Sequence, residues 1–260
     1  MTPPLPPDSR VLVGTSGWVY KHWQGVFYPA GLLEKRWLWY YSQRFSTAEV
    51  NYSFYRLPSE STFTRWAETV PPDFAFAVKG SRYITHQLKL RGAGQPVATF
   101  VARARLLGSH FGPILWQLPP TLRPDVGALR EFIGVLPADA AHVFEFRRQE
   151  WYADEVIEAL ESGRCHLCLH DWNGVSPPRL VLGNLGYVRL HGGKTDPGGK
   201  YSRRELEDWA AWIRLISSDA GAKSRVYVYF NNDAYGNAVA DAALLERLVS
   251  TAARPGSEGS

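Results

Sequence analysis

Cysteine is scarce in this sequence of 260 residues. Its two cysteines, Cys165 and Cys168, have the C-x-x-C spacing that occurs at redox centres and zinc sites. No second pair completes a four-cysteine zinc site, and the surrounding CHLCLH is typical of a buried strand, in which residues three apart point to opposite faces. We therefore expect two buried free thiols and a reducing, cytoplasmic setting.

Long apolar runs and long runs of like charge are also missing. No stretch of about 18 apolar residues is present, so the sequence predicts no membrane-spanning helix and no membrane partner. The start, MTPPLPPDSR, lacks the apolar core of a signal peptide. The 29 basic and 25 acidic residues give a net charge of +4 without a basic run, which argues against a nucleic-acid-binding arm and gives a mild preference for anionic partners.

With 45% hydrophobic and 21% charged residues, the composition is that of a globular protein rather than a collagen-like, disordered or coiled-coil chain. Short apolar segments alternate with helical patterns, and the segments turn polar at their C-terminal ends, as in parallel strands covered on both faces. The predicted strands are Val11–Thr15, Thr47–Asn51, Phe74–Lys79, Ile114–Leu118, His142–Arg147, Cys165–His170, Tyr187–His191 and Val226–Asn231. The predicted helices are Leu32–Arg44, Ser59–Thr69, Val97–Ser109, Val126–Leu136, Asp154–Ser162, Arg203–Ser218 and Asn237–Val249.

This order predicts an α/β fold, a single (β/α)₈ TIM-type barrel, with an open doubly wound sheet as the competing architecture. The segment between Asp171 and Tyr187 contains Pro177 and Pro178 and is short, so we expect an irregular sixth helix or a loop there. The barrel is predicted to span residues 11–250, between a proline-rich arm (residues 1–10) and a tail (residues 251–260).

Polar side chains follow the predicted strands at their C-terminal ends, where the active sites of barrels lie. Several stand two residues apart and therefore share a face of their strand. The polar candidates are Glu49, Asn51, Lys79, Gln117, Glu145, Arg147, Arg189, His191, Asn231 and Asp233.

These residue types indicate an anion-binding catalytic site. Three cations suit a phosphate or carboxylate: Lys79, Arg147 and Arg189. The candidate catalytic acid, base and second proton carrier are Glu49, Glu145 and His191. The remaining polar candidates would orient the substrate by hydrogen bonds, and two aromatic residues would form a stacking rim, Trp18 and Tyr55.

Two other interpretations of the same residues stay open. The charges could form an ion-pair network that plugs the barrel, made of Glu49, Glu145, Arg147 and Arg189. A divalent metal could be held by Glu49, Glu145, Asp171 and His191, although nearby arginines disfavour a cation. The cofactor and the oligomeric state are left unassigned.

Several motifs resemble the YecE-like family, a domain of unknown function, and the likeness runs from about Val13 to Leu248. They are GTSGWVYKHWQGVFYP (Gly14–Pro29), EVNYSFYRLP (Glu49–Pro58), FAVKGSRYITH (Phe76–His86), GPILWQLPP (Gly112–Pro120), EFRRQEW (Glu145–Trp151), RLHG (Arg189–Gly192) and VYVYFNND (Val226–Asp233). The resemblance implies a TIM-type barrel with its site at these motifs, and it implies no particular reaction.

The chain departs from the family pattern at three positions. Arg148 stands where relatives usually have a histidine after EFR, Glu150 replaces a common serine, and Asp241 replaces a common asparagine. If that histidine acts as a ligand or base in relatives, this chain either lacks the activity or uses His170 or His191 instead. The resemblance thus implies an altered pocket rim.

The sequence as a whole predicts a barrel enzyme, hydrolytic or lyase-like, that acts on a small phosphate- or carboxylate-bearing ligand at the mouth. The alternative is a non-catalytic protein that holds nucleic acid or a protein tail in the same cup. Steep salt dependence of oligonucleotide binding would favour the alternative.

Overall fold

The computed structural model describes residues 11–172, 175–194, 196, 199–218 and 225–251. Eight parallel strands close a barrel in chain order, each paired with the next and β8 with β1. They are β1 (Val11–Ser16), β2 (Thr47–Val50), β3 (Ala75–Lys79), β4 (Phe111–Gln117), β5 (His142–Glu145), β6 (His166–His170), β7 (Leu185–Leu190) and β8 (Arg225–Phe230). The predicted TIM-type barrel is confirmed; the arm and all but the first residue of the tail lie outside the described residues.

Helices lie between the strands and after β8. They are α1 (Trp37–Ser42), α2 (Tyr52–Tyr55), α3 (Glu60–Thr69), α4 (Gly94–Ala104), α5 (Val126–Gly134), α6 (Asp154–Ser162), α7 (Arg203–Ser218) and α8 (Asn237–Thr251). The residues described between β6 and β7 contain no helix, as the two prolines predict. The short helix α2 follows β2 directly and was not predicted.

Two predicted helices differ from the observed ones by more than two residues at an end. In place of Leu32–Arg44 there is a 3₁₀ turn, Glu34–Arg36, followed by α1, because the Trp37 indole binds the Leu32 carbonyl and holds that residue outside the helix. The predicted helix from Val97 to Ser109 instead begins at Gly94, with Pro96 in its first turn. It ends at Ala104, and Gly108, at a φ of 58°, interrupts the 3₁₀ segment that follows.

The barrel interior has a small core of its own, separate from the larger core between sheet and helices. Its members are Leu12, Ala75, Ala77, Leu115, Val143, Cys168, Leu185, Tyr187, Tyr227 and Tyr229. Successive residues of a strand point to opposite faces of the sheet. The residues two positions after these interior residues therefore also point inward, one layer closer to the C-terminal mouth. The apolar interior therefore forms the floor beneath the polar candidates.

The two thiols lie on different sides of the sheet. Cys168 is in the barrel interior and Cys165 is in the outer core, and both are buried and free. This confirms the expected pair of buried free thiols.

Strands β1 and β2 approach closely at Gly14, where a Cβ would lie 2.1 Å from the Thr47 carbonyl oxygen. We expect Gly14→Ala to lower the free energy of unfolding by about 1–3 kcal/mol, because neither backbone can retreat. Urea unfolding measures the effect. The control is Gly134→Ala at the last residue of α5, where no atom outside the helix's own backbone lies within 4 Å of the new Cβ; alanine there should leave the free energy of unfolding unchanged or raise it slightly. Equal effects of both substitutions would contradict this account.

Candidate functional site

The centre of the mouth is the buried guanidinium of Arg189 on β7. It binds Glu49 of β2 bidentately, with Nε 3.0 Å from Oε2 and Nη2 2.9 Å from Oε1. Its Nη1 lies 2.7 Å from Oε2 of Glu145 on β5. One side chain thus joins three strands across the barrel, and all three residues are buried.

The rest of the guanidinium is also engaged. Arg189 Nη2 lies 3.5 Å from Ser16 Oγ, and Nη1 lies 3.3 Å from His191 Nε2. Each of its three nitrogens therefore has an acceptor within the protein. Arg189 positions its neighbours and has no nitrogen left unengaged for a ligand.

Glu49 receives two further hydrogen bonds that the sequence interpretation missed. Ser16 Oγ donates to Oε1 over 2.8 Å, and the Tyr187 hydroxyl donates to Oε2 over 2.7 Å. The spacing of Tyr187, two residues before Arg189 on the same strand face, was a usable signal for its position. Ser16 is the last residue of β1, and its position at the C-terminal end of a strand likewise indicated that it lies at the mouth.

Arg147 is a second buried guanidinium, bound to Glu145 through Oε1. Its Nη2 contacts Glu145 Oε1 and lies 2.8 Å from His191 Nε2, and its guanidinium stacks on Trp172 at 4.1 Å. Arg147 Nε and Nη1 are buried, yet no described residue accepts a hydrogen bond from them. These are donors a ligand could use.

The two arginines fix the charge of Glu145. Burial alone would raise the pKa of Glu145, but Arg189 and Arg147 hold it well below its ordinary value. Glu145 is therefore ionised at neutral pH.

His191 lies between cations and a carboxylate. Its Nε2 faces the guanidinium groups of Arg147 and Arg189, while Nδ1 lies 3.5 Å from Asp171 Oδ1. Asp171 also accepts hydrogen bonds from the His191 backbone nitrogen and the Tyr201 hydroxyl. Burial, assisted by the arginines, lowers the pKa of His191. These surroundings assign a neutral ring with its proton on Nδ1.

Lys79, at the end of β3, is the third predicted cation. Its Nζ lies 4.3 Å from the centre of the Phe54 ring. Its Nζ makes no hydrogen bond or ion pair with any residue in the described part of the chain, whereas its carbonyl accepts from Ser53 Oγ. Burial, and then the nearby Arg189, lower the pKa of Lys79 to about 8.

Other predicted site residues lie at the rim or bond elsewhere. Asn51 donates to the Ser16 carbonyl over 3.2 Å, while its own Oδ1 is buried and has no hydrogen-bond partner among the described residues. Gln117 donates to the Leu118 carbonyl over 2.9 Å. Asn231 ends β8 and is half-buried, and its backbone nitrogen donates to the Leu190 carbonyl.

Asp233 is held by the loop after β1. It accepts a hydrogen bond from the Trp23 indole over 2.6 Å and lies 3.0 Å from His22 Nε2. Desolvation by burial raises the pKa of Asp233 to about 6. Its place among the substrate-binding residues stays a prediction.

An aromatic cavity of about 590 Å³ lies beside the β1 and β2 ends of the mouth, lined in part by Trp18, Tyr20, Asn51, Tyr52, Tyr55 and Trp66. Trp18 is buried and packs edge-on against Trp66, with ring centres 5.2 Å apart, whereas Tyr55 is 71% exposed. Of the two predicted aromatic residues, only Tyr55 presents an open ring face.

The four residues weighed as metal ligands do not form a metal site. Glu49 and Glu145 face arginines, and within the described ranges no three His, Cys, Asp or Glu side chains are grouped for a metal ion. His170 is occupied as well, since its Nε2 lies 2.7 Å from the Phe146 carbonyl and its Nδ1 accepts from the Trp172 backbone.

The three residues that depart from the family pattern each bond to another residue of the chain. Arg148 and Glu150 form an ion pair of 2.5 Å on the rim, so two of the departures neutralise each other. Asp241 is buried and accepts from the Tyr201 backbone nitrogen and from Asn232 Nδ2, 3.1 Å and 2.8 Å away. Its role is to hold the end of β8 against the loop after β7.

The sequence profile of the family described as "Protein of unknown function DUF72" matches residues 12–258. The chain belongs to this family. It is 26% identical over 265 residues to the UPF0759 protein YunF of Bacillus subtilis, covering 88% of this chain and 90% of that protein. This agrees with the YecE-like resemblance.

Solved structures of the DUF72 family have the same fold. One from Thermotoga maritima superposes with a TM-score of 0.81 at 26% identity, over 92% of this chain and 98% of that one. A second, from Enterococcus faecalis, has a TM-score of 0.76 at 19% identity, over 92% and 95% of the two chains, and is evidence for the fold alone. In the part of the chain that is described, no helix has the length and apolar character needed to cross a membrane.

Arg189 and Lys79 should differ in their effect on folding. Arg189→Met leaves two buried carboxylates without their shared cation, so we expect it to lower the free energy of unfolding by about 3–5 kcal/mol. Lys79→Met removes a cation that forms no ion pair with any described residue, so stability should stay the same or rise. Urea unfolding of both variants compares the two. Equal destabilisation would contradict the distinction between the two cations.

Glu145 should stabilise the fold in a pH-dependent way. Its folded pKa lies below the unfolded value of about 4.3, so its contribution is complete above that pH and is lost as the pH falls toward the folded pKa. The difference in unfolding free energy between wild type and Glu145→Gln should therefore shrink from about pH 6 to about pH 3. Urea titrations across this range measure it; a constant difference would contradict the low pKa.

Proposed function

We propose that this protein is an enzyme acting on a small anionic molecule, bearing a phosphate or carboxylate group, at the C-terminal mouth of the barrel. The observation that carries the proposal is the pair of buried Arg147 donors, Nε and Nη1, that have no acceptor among the described residues. Lys79, which likewise has no counter-ion there, supplies a second open cation.

Buried donors without acceptors cost free energy, because their hydration is lost without replacement. A phosphate or carboxylate would restore those hydrogen bonds, and the planar guanidinium suits both groups. Stacking on Trp172 and contact with Glu145 hold Arg147 in place before a ligand arrives. The site is thus preorganised for an anion.

The reaction we propose is hydrolytic or lyase-like. Of the acid and base candidates, Glu49 and Glu145 are bound to Arg189, and a carboxylate held ionised in this way is a weak base and no acid at neutral pH. In our proposal they stabilise positive charge and orient Arg189. His191, neutral between Asp171 and the arginines, and Lys79 then move protons.

The remaining predicted residues complete this proposal. Asn51, Gln117 and Asn231 orient the ligand, Asp233 borders the site, and Trp18 and Tyr55 belong to its aromatic side. Both thiols being free, we place the activity in the cytoplasm.

Anion binding tests the proposal directly. We expect inorganic phosphate and acetate to bind to the wild-type protein, and Arg147→Gln to weaken that binding about 10- to 100-fold, the value of one or two charge-assisted hydrogen bonds. Isothermal titration calorimetry measures the affinities. Lys35→Gln, which removes an exposed lysine, is the matched control and should bind as wild type does.

Two outcomes would overturn this proposal. Equal weakening by both variants would mean that net charge rather than the mouth attracts anions. If the protein binds oligonucleotides with a steep salt dependence but does not bind phosphate or acetate, the non-catalytic alternative is favoured.

A further inference from the structure

Lys79 differs from the two arginines in the chemistry its side chain offers. A guanidinium stays protonated and binds anions, whereas a lysine amine becomes a nucleophile once it loses its proton. Lys79 ends β3 on the inner face of the barrel, in the layer that also holds Glu145 and Arg189. Its position is therefore that of a group that can touch a ligand in the mouth.

Two features of its surroundings disfavour the charged form of Lys79: its amine is desolvated, and no carboxylate in the described chain lies within hydrogen-bond distance of Nζ. The ring of Phe54, 4.3 Å from Nζ, gives only a cation–π contact, which weakly opposes this effect. Both oxygens of Glu49, and Oε2 of Glu145, are taken by Arg189 and its neighbours. Lysines are activated as nucleophiles by such desolvation and by adjacent cations.

We propose that Lys79 is a nucleophile that forms an imine with the carbonyl carbon of an anionic aldehyde or ketone. The proposal rests on the proposed function, because Arg147 would hold the anionic group of the same substrate. It narrows the substrate class to compounds that carry a carbonyl next to a carboxylate or phosphate, and it favours a lyase-type reaction over hydrolysis.

The step balances without an oxidant, a reductant or a cofactor. The amine lone pair of Lys79 forms a C–N bond as the carbonyl π bond breaks, and the oxygen takes one of the amine hydrogens to give a carbinolamine. The C–O bond then breaks, and the oxygen leaves as water with the second amine hydrogen. The product is a C=N bond, which can draw electrons from a neighbouring carbon–carbon or carbon–hydrogen bond.

Charged groups from several elements act on the Lys79 amine. They are Glu49, Glu145, Arg147 and Arg189, and the titratable ring of His86, whose pKa is lowered to about 4 by burial and by Lys79, faces it as a neutral group. Burial and Arg189 together leave its pKa at about 8, so about a tenth of the amine is neutral at pH 7. Imine formation should therefore become faster as the pH rises through 8 and level off above it.

The test traps the imine by reduction. Wild type, Lys79→Arg, Arg147→Gln and the surface control Lys35→Arg are incubated with pyruvate or dihydroxyacetone phosphate and then with borohydride, and peptide mass spectrometry locates the adduct. Acetone serves as the uncharged ketone. Circular dichroism and thermal unfolding establish that each variant is folded.

We expect one adduct per chain, on Lys79, in wild type and Lys35→Arg. It should be absent from Lys79→Arg, at least about tenfold weaker in Arg147→Gln, and at least about tenfold weaker with acetone. Its rate in wild type should be half-maximal near pH 8, because the pKa of this amine is about 8.

The failures are distinguishable. If phosphate binds in an Arg147-dependent way but no adduct forms on Lys79, or adducts spread over surface lysines, the imine proposal is overturned and anion binding stands. If acetone labels Lys79 as well as pyruvate does and Arg147→Gln changes nothing, the nucleophile stands and anion recognition by Arg147 is overturned.

Discussion

The geometry of the mouth depends on the bidentate pairing of Arg189 with Glu49 and on its second contact with Glu145. A guanidinium and two carboxylates buried in a barrel lose much of their hydration, and they are tolerated only because each compensates the others. That requirement leaves little freedom in where the ends of β2, β5 and β7 lie. Ser16 and Tyr187 then satisfy the remaining lone pairs of Glu49.

Within the cluster of charged residues at the mouth, the ion-pair network and the proposed anion site involve different cations. All three nitrogens of Arg189 are hydrogen-bonded within the protein. Arg189 therefore contributes to the stability of the mouth and to the electrostatic potential at its neighbours. Arg147 shares one carboxylate with Arg189 and keeps two nitrogens unpaired, and Lys79 has no carboxylate partner among the described residues. The proposed anion site depends on these two groups and not on Arg189.

Much of this arrangement was predictable from the sequence. Apolar segments that turn polar at one end indicated eight parallel strands, and the period of two on each strand placed Glu49, Glu145 and Arg189 at a common mouth. Helix limits were less predictable, because single contacts such as the Trp37 indole on the Leu32 carbonyl, or the conformation of Gly108, decide them.

The choice of partners was not predictable. Which carboxylate an arginine takes depends on the register and closure of the barrel, which bring residues 140 positions apart, Glu49 and Arg189, into contact. Asp233 shows the same point, since Trp23 and His22 from a distant loop bind it. Tyr187 could have been found from its spacing, whereas nothing in the sequence paired it with Glu49.

The aromatic face that supports Arg147 belongs to the irregular connection after β6 and not to the barrel wall. Trp172 stands in a segment whose described residues form no helix, and such loops tolerate insertions and exchanges at little cost to the fold. Substitutions in this loop can therefore change the position and orientation of the Arg147 guanidinium without changing the ion pairs of Arg189. In the proposed site, the salt-bridged centre would then be kept unchanged while ligand preference diverges through this loop.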